Sequence, residues 1–248
     1  MCASPWPPSV TGMSNQVALI TGASRGLGRA LASGLAREGY ALIVDARNAA
    51  ALEAAAAQIW DAGGTVTAIP GDVTDPAHRA ALLRAARQAG RLDLLVNNAG
   101  TLGASPLPAL ADYPVDELRA AFEVNVIAPI ALTQLLLPML RGHGGAVLNI
   151  TSDAADQAYA GWGGYGAAKA ALEQASNVLA AEESLVRVWW VDPGDLRTRM
   201  HQQAFPGEDI SDRPLPDAVV PAFRKLISER LPAGRYRAAE LMPSGARS

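Results

Sequence analysis

TGASRGLG, residues Thr21 to Gly28, follows the short aliphatic run Val17–Thr21 and leads into an alanine-rich, helix-forming segment. Strand, glycine loop and helix, in that order, present unpaired helix-start N–H groups to phosphate oxygens. In this reading Gly22 allows the tight turn, Gly26 lets the backbone approach a pyrophosphate, and Gly28 permits close helix–strand packing. Ser24, Arg25 and Leu27 fill the loop between them. Glycines also serve ordinary turns, so the triplet counts because it stands after the first strand and before a helix. Its spacing is G-x3-G-x-G, which differs from the wider G-x-G-x-x-G pattern.

Working outward, aliphatic runs recur at Val17–Thr21, Ala41–Asp45, Thr65–Ile69, Leu92–Asn97, Ala146–Thr151 and Leu185–Val191. Nearly continuous apolar strands point to burial on both faces, as in a parallel sheet covered by helices. The stretches between them, such as Ala49–Ala62 and Asp75–Gly90, have crossover-helix length, and Asp75-Pro76 makes a helix cap and first helical residue. The pattern predicts an α/β fold: a doubly wound parallel sheet in three αβα layers. Beyond Asp195, Pro206, Pro214, Pro216, Pro221 and Pro232 punctuate the chain, leaving an expected helix over Asp217–Glu229 and an edge strand near Arg235–Ala239. Residues 1–14 are Pro-rich and read as a disordered extension, with a single domain over 15–248.

Composition excludes several classes. Half of the 248 residues are hydrophobic and the net charge is −3 with scattered basic residues, which argues against a nucleic-acid footprint. Cys2 is the only cysteine, so an intramolecular disulfide is impossible. His78, His143 and His201 lie far apart, and no metal site is expected. No run reaches the roughly 18 apolar residues of a membrane span, and no basic, apolar leader opens the chain. A cytoplasmic protein is the expectation.

The chemistry-bearing cluster is Ser152, Tyr165 and Lys169. Tyrosine and lysine four apart on a helix share one face. An ammonium about 6 Å from a phenolate, at an effective dielectric near 20, is worth roughly 3 kcal/mol, enough to lower the phenol by about two pKa decades. Such a tyrosine could exchange protons with a substrate oxygen. An isolated YxxxK is more often a surface pair. The chain, however, has 19 Arg and only two Lys, Lys169 and Lys225, so a lysine at this spot is unusual for it.

TGASRGLG, Asp72-Val73, the NNAG of Asn97–Gly100, Asn125, Ser152, the YGAAK of Tyr165–Lys169 and the PGDLRT of Pro193–Thr198 occur together and in order. The set resembles the short-chain dehydrogenase/reductase family in its roughly 250-residue branch, over about Gln16 to Met200. The resemblance implies a Rossmann-like sheet of seven strands, a nicotinamide cofactor and a small-molecule carbonyl or alcohol substrate. It gives Tyr165 the role of general acid/base and Ser152 that of holding the substrate oxygen. Lys169 would lower the Tyr165 pKa and bind the nicotinamide ribose. Asn125 would hold a water between Lys169 and solvent. Asp72 and Val73 would contact adenine, Asn98, Ala99 and Gly100 would wall the adenosine ribose, and Leu196 and Thr198 would meet the carboxamide. Competing structural readings stay open: Asp72 as a turn or capping residue, Asn97 and Asn98 pairing backbone groups between strands (Asn97 above all), Asn125 relieving a helix turn that Pro129 also disturbs. Asp192, before Pro193, departs from the family's small or amide residue. Trp162, in Gly161–Gly166, is either a pocket wall or a core or interface aromatic, and the glycines suggest a wall of little bulk.

Cofactor choice turns on the end of the second strand, ALIVDARN. An acid there normally binds the ribose hydroxyls and selects NAD. By comparison with the family, that position is occupied here by Ala46. Asp45 stands one residue early and faces the opposite side of an alternating strand. Ala46 leaves room for a phosphate, and Arg47 with Arg25 offers two guanidiniums to it. NADP(H) is expected over NAD(H), which remains possible. Apolar helices around Leu118–Leu140 and Tyr165–Ala181 exceed what one sheet face can cover, so a homodimer or homotetramer is expected. The rival class is an NADP(H)-binding redox sensor or scaffold without turnover.

Overall fold

The computed structural model describes residues 16–242, and the expected extension over residues 1–14 lies outside them. The strands are β1 (Val17–Ile20), β2 (Ala41–Ala46), β3 (Thr65–Pro70), β4 (Leu94–Asn97), β5 (Ala146–Ile150), β6 (Arg187–Asp192) and β7 (Gly234–Arg237). The helices are α1 (Gly26–Arg37), α2 (Ala49–Asp61), α3 (Pro76–Gln88), α4 (Val115–Phe122), α5 (Ala128–His143), α6 (Gly163–Glu182), α7 (Arg199–Ala204), α8 (Val220–Ser228) and α9 (Ala238–Leu241). All strand pairings are parallel, and the order is β3-β2-β1-β4-β5-β6-β7. The order reverses between β1 and β4, where a doubly wound sheet opens a crevice at the carboxyl ends of its strands.

Strand alternation assigns side chains to the two outer layers. Ile20, Val44, Leu148 and Val191 pack with Leu31 and Leu35 of α1, Leu52 of α2 and Phe223 of α8. Their neighbours Leu19, Ile43, Val147 and Val188 face the other way, onto Leu82 of α3 and Leu132, Leu136 and Leu140 of α5. Both faces are therefore dry. Truncating Leu19 or Leu132 to alanine would cost about 2–5 kcal/mol by the usual core-truncation scale.

Local chemistry sets the boundaries. Asn48 caps α2 by accepting from the Ala51 amide at 2.9 Å, and Asp75 caps α3 by accepting from Ala77 at 2.8 Å, with Pro76 next as expected. The expected helix over Asp217–Glu229 divides into a 3-10 turn, Pro216–Val219, and α8, because Pro221 in the first turn has no N–H to give backwards. β7 begins at Gly234 and ends at Arg237, opposite Trp189 and Asp192, and Ala238 already opens α9.

The apolar helix expected around Leu118–Leu140 is present and extends beyond that range at both ends. Val115–His143 runs helical for 29 residues and is long and apolar enough, by length and composition, to cross a membrane. Its Leu132, Leu136 and Leu140 lie at 1% exposure or less, against the sheet, so in this fold it is a core helix. At its centre, Glu123–Ile127 widens into a π-helical turn. Pro129 has no N–H for the carbonyl four residues earlier, that of Asn125, which is the kind of loss that opens an α-helix locally.

Candidate active site

The glycine loop leaves β1 at the reversal point. Thr21 is buried, and its hydroxyl accepts from the Asn98 and Ala99 amides, both at 3.0 Å, tying the ends of β1 and β4 together. Gly22 has φ +68°, a conformation glycine adopts without strain. A Cβ at Gly28 would stand 2.4 Å from Asn98 Nδ2 and 2.5 Å from the Gly22 oxygen, so only hydrogen fits there. Asn98 Nδ2 itself donates to the Thr21 and Gly22 carbonyls at 2.8 and 3.2 Å. Arg25 stands at the cap position of α1 without a side-chain cap bond, which leaves the helix-start amides unclaimed by a side chain. Thr198 lies across the loop, its methyl 3.6 Å from where a Gly26 Cβ would be. Its hydroxyl caps α7 by accepting from His201 N at 3.1 Å. Leu196 beside it is buried. The loop, α1 and Pro193–Thr198 thus frame a cradle with no side-chain bulk at Gly22, Gly26 or Gly28, as a dinucleotide requires.

On the adenosine side, Asp45 is fully buried and accepts from the Gly22 amide at 2.8 Å. Arg25 and Arg47 are exposed, and among the described residues neither forms a salt bridge. Asp72 accepts from the Thr74 amide and hydroxyl at 2.9 and 2.8 Å, the turn arrangement left open above. Burial pushes its carboxyl up, but those two bonds, with Arg47 and His78 beyond, hold it below the usual carboxylate value. Val73 is buried, and its carbonyl accepts from Arg79 at 2.7 Å.

Tyr165 and Lys169 sit in the first turns of α6, at 8% and 4% exposure. Lys169 Nζ donates to the Ile150 carbonyl at 2.8 Å and stands 5.5 Å from the Tyr165 ring centroid. Burial lowers its pKa to about 8, opposed by Glu173. The expected lowering of Tyr165 is not what this geometry gives: its pKa is raised, first by burial and then by Asp192 and Asp153, with only the Ser152 hydroxyl opposing. The ammonium is anchored to a carbonyl under the ring, while two carboxylates face the phenol side. Ser152 Oγ donates to Asp153 Oδ1 at 3.0 Å and accepts from the Ala154 amide at 3.2 Å. Asn125 is fully buried, its amide donating to the Thr101 carbonyl at 2.8 Å and its Oδ1 accepting from Thr101 N at 3.0 Å. A Cβ at Gly100 would lie 3.0 Å from Asn125 Oδ1 and 3.8 Å from Lys169 Nζ, so a glycine joins the two. Asn97 does not pair backbone groups; its amide donates to Asn149 Oδ1 at 2.8 Å and Thr133 Oγ1 at 3.2 Å.

Trp162 packs edge-on against Tyr165 at 5.7 Å and against Phe205 at 5.9 Å, which makes it a wall of this site. Leu102, Leu107 and Met200 complete an apolar roof over Tyr165. The expected open wall along Gly161–Gly166 is filled from within: a Cβ at Gly163 would meet Leu110 at 2.8 Å, and one at Gly164 would meet Tyr113 at 2.3 Å. A cavity of about 420 Å³ is lined by Asp153, Gln157, Tyr159, Asp192, Gly194 and Arg237. A depression of about 190 Å³ at the other end of the strands, beside Tyr40 and Asp93, touches none of the motifs. Sequence reasoning missed Asp153, although it directly follows Ser152. It also missed Thr21 and His78, whose partners are distant in sequence.

Residues 16–209 match the short chain dehydrogenase family. The rhamnolipids biosynthesis 3-oxoacyl-[acyl-carrier-protein] reductase of Pseudomonas aeruginosa is 37% identical over 201 residues, covering 76% of this chain and 75% of that one. A short-chain dehydrogenase of Shigella flexneri, solved in complex with NADP, superimposes with a TM-score of 0.84 at 31% identity, covering 90% of this chain and 97% of that one. One of Escherichia coli, solved with NADPH, gives 0.82 at 32% identity, covering 90% and 96%. With a glycine cradle at the reversal point and a buried Tyr–Lys pair beside it, this chain belongs to the short-chain dehydrogenase family of oxidoreductases.

Proposed function

We propose that the protein interconverts a carbonyl and an alcohol with NADP(H) as its preferred nicotinamide, through Tyr165, Lys169, Ser152 and Asn125. The observation that carries this reading is Lys169: a nearly fully buried ammonium, held against the Tyr165 ring, that the core does not need. When bound, the nicotinamide supplies the hydride; the protein supplies position and a proton. In reduction Tyr165, protonated at neutral pH, gives its proton to the carbonyl oxygen, and in oxidation it takes one back. Ser152 turns its hydroxyl from Asp153 to the same oxygen. Lys169, with one N–H on Ile150, has two left for ribose hydroxyls and remains charged below about pH 8. The Asn125 carbonyl, which Pro129 cannot serve, accepts from a water that links Lys169 to solvent. Asp72, Val73, Asn98, Ala99 and Gly100 wall the adenosine half, and Leu196 and Thr198 close over the nicotinamide half.

For NADP(H), the support is two exposed guanidiniums that form no salt bridge among the described residues, Ala46 where an acid would select NAD, and structural relatives solved with NADP and NADPH. A homodimer or homotetramer is supported by Ile127, Leu135 and Val178, apolar side chains left exposed along Glu123–Ile127, α5 and α6. The cytoplasm suits such an assembly. The experiment is a titration with NADPH and NADH: NADPH should bind the wild type more tightly, and Arg47→Ala should erode the preference by about 1–3 kcal/mol. Equal affinities, or an unchanged preference in the variant, would overturn the choice of NADP(H).

A further inference from the structure

One buried imidazole has no part in the chemistry above. His78 lies in the first turn of α3 at 7% exposure, and its Nε2 stands 3.0 Å from Asp45 Oδ2, across 33 residues of sequence. Asp45 is at 0% exposure. Its other carboxyl oxygen accepts from the Gly22 amide at 2.8 Å, and its main-chain carbonyl accepts from Ala23 N at 2.8 Å. Burial raises the Asp45 carboxyl, while the bonds from His78 and Gly22 pull the other way. The two bonds hold the first peptides of the glycine loop to the end of β2.

The other side of the imidazole meets the second wall of the same pocket. A Cβ built on Gly71 would fall 2.1 Å from His78 Nδ1 and 2.6 Å from its Cε1 and Cγ. Gly71 is not among the residues of positive φ, so its backbone does not demand glycine; the ring does. Gly71 N donates to the Ala46 carbonyl at 3.1 Å, and the chain passes directly into Asp72 and Val73. One side chain therefore touches the anchor of the glycine loop through Asp45 and the start of the adenine-side turn through Gly71. Asp72 lies close enough to feel its charge, and Asp45 is the group it contacts.

We infer that His78 is a positioning residue for the cofactor: by bracing Asp45 on one side and Gly71 on the other, it fixes the spacing between the phosphate-facing loop and the adenine wall, and so sets affinity for the adenosine half of NADP(H). This rests on the reading of NADP(H) as the cofactor. It also gives Asp45 a task, since an acid at the end of β2 that cannot reach a ribose otherwise has none. An apolar replacement of His78 leaves a buried carboxyl oxygen without a partner and the loop without its stay, whereas an amide can still donate to Oδ2.

The test measures equilibrium binding of NADPH and of adenosine 2′,5′-bisphosphate, which carries only the adenosine half, to the full chain. His78→Leu should weaken both by the same factor, about tenfold or more, and His78→Gln should restore most of it. Gly71→Ala, which leaves Asp45 and His78 in place but drives the ring away, should reproduce the loss. In turnover, the damage should fall on the KM for NADPH more than on kcat. If His78→Leu does not fold, Gly71→Ala against His78→Gln decides the matter. Unchanged affinities in both His78→Leu and Gly71→Ala would overturn the inference alone. A wild type that binds neither NADPH nor NADH would overturn the cofactor reading with it.

Discussion

Replacing Lys169 with methionine should inactivate the enzyme and make it more stable at neutral pH. The ammonium is at 4% exposure, and its pKa falls from 10.5 to about 8, chiefly through burial. At about 1.4 kcal/mol per decade, holding that charge in the folded protein at pH 7 costs on the order of 3 kcal/mol. Methionine fills similar space without the charge, but it leaves the Ile150 carbonyl without its 2.8 Å bond, which returns about 1 kcal/mol. The expected net gain is about 1–3 kcal/mol, several degrees in Tm for a chain of this size. The pH dependence carries the sign. Below pH 8 both folded and unfolded Lys169 are protonated, and the penalty is constant. Between about 8 and 10.5 the unfolded chain binds the proton that the folded one has released, so wild-type stability rises with pH. Urea denaturation of both proteins from pH 7 to pH 10 should show the advantage of the variant shrinking across that range. A variant less stable than wild type at pH 7, with a difference that does not vary with pH, would refute the reasoning.

Asp192→Asn removes a charge that raises Tyr165, so the rising limb of the alcohol-oxidation profile, where Tyr165 loses its proton and becomes the base, should move to lower pH by roughly half a unit; an unmoved limb would sever that coupling. Arg47→Ala should narrow the gap between NADPH and NADH catalytic efficiency by raising the NADPH KM alone, and an equal effect on both cofactors would place Arg47 away from the 2′-phosphate. Light scattering at micromolar concentration should report at least twice the 25.8 kDa chain mass, and a monomer mass would contradict the assembly.

Much of the fold was legible because burial on both faces writes continuous apolar runs, and those at Ala41 and Ala146 became β2 and β5 to within a residue at either end. Asp75-Pro76 likewise marked the start of α3, since a cap and a proline act locally. What the sequence hid depends on approach between distant segments. The acidity of Tyr165 follows from its burial and from Asp153 and Asp192, and a four-residue spacing to Lys169 reveals neither. The glycines at 163 and 164 suggested room for a substrate, yet Leu110 and Tyr113 occupy it from a loop more than fifty residues earlier. Asp45 was readable as misplaced for a ribose, but its partner His78 was not, because nothing local links them.

Hydride transfer with proton donation by Tyr165 is tested most directly by isotope. The protein is incubated with NADPH deuterated at the transferring position of the nicotinamide and with a panel of ketones and aldehydes, and the alcohols are examined by mass spectrometry. The wild type should place one carbon-bound deuterium in a product alcohol. Tyr165→Phe, still binding NADPH within a few-fold, should place almost none. Tight NADPH binding with no deuterium in any alcohol, or equal transfer by wild type and Tyr165→Phe, would contradict the account; the first of these would mark a cofactor-binding sensor or scaffold.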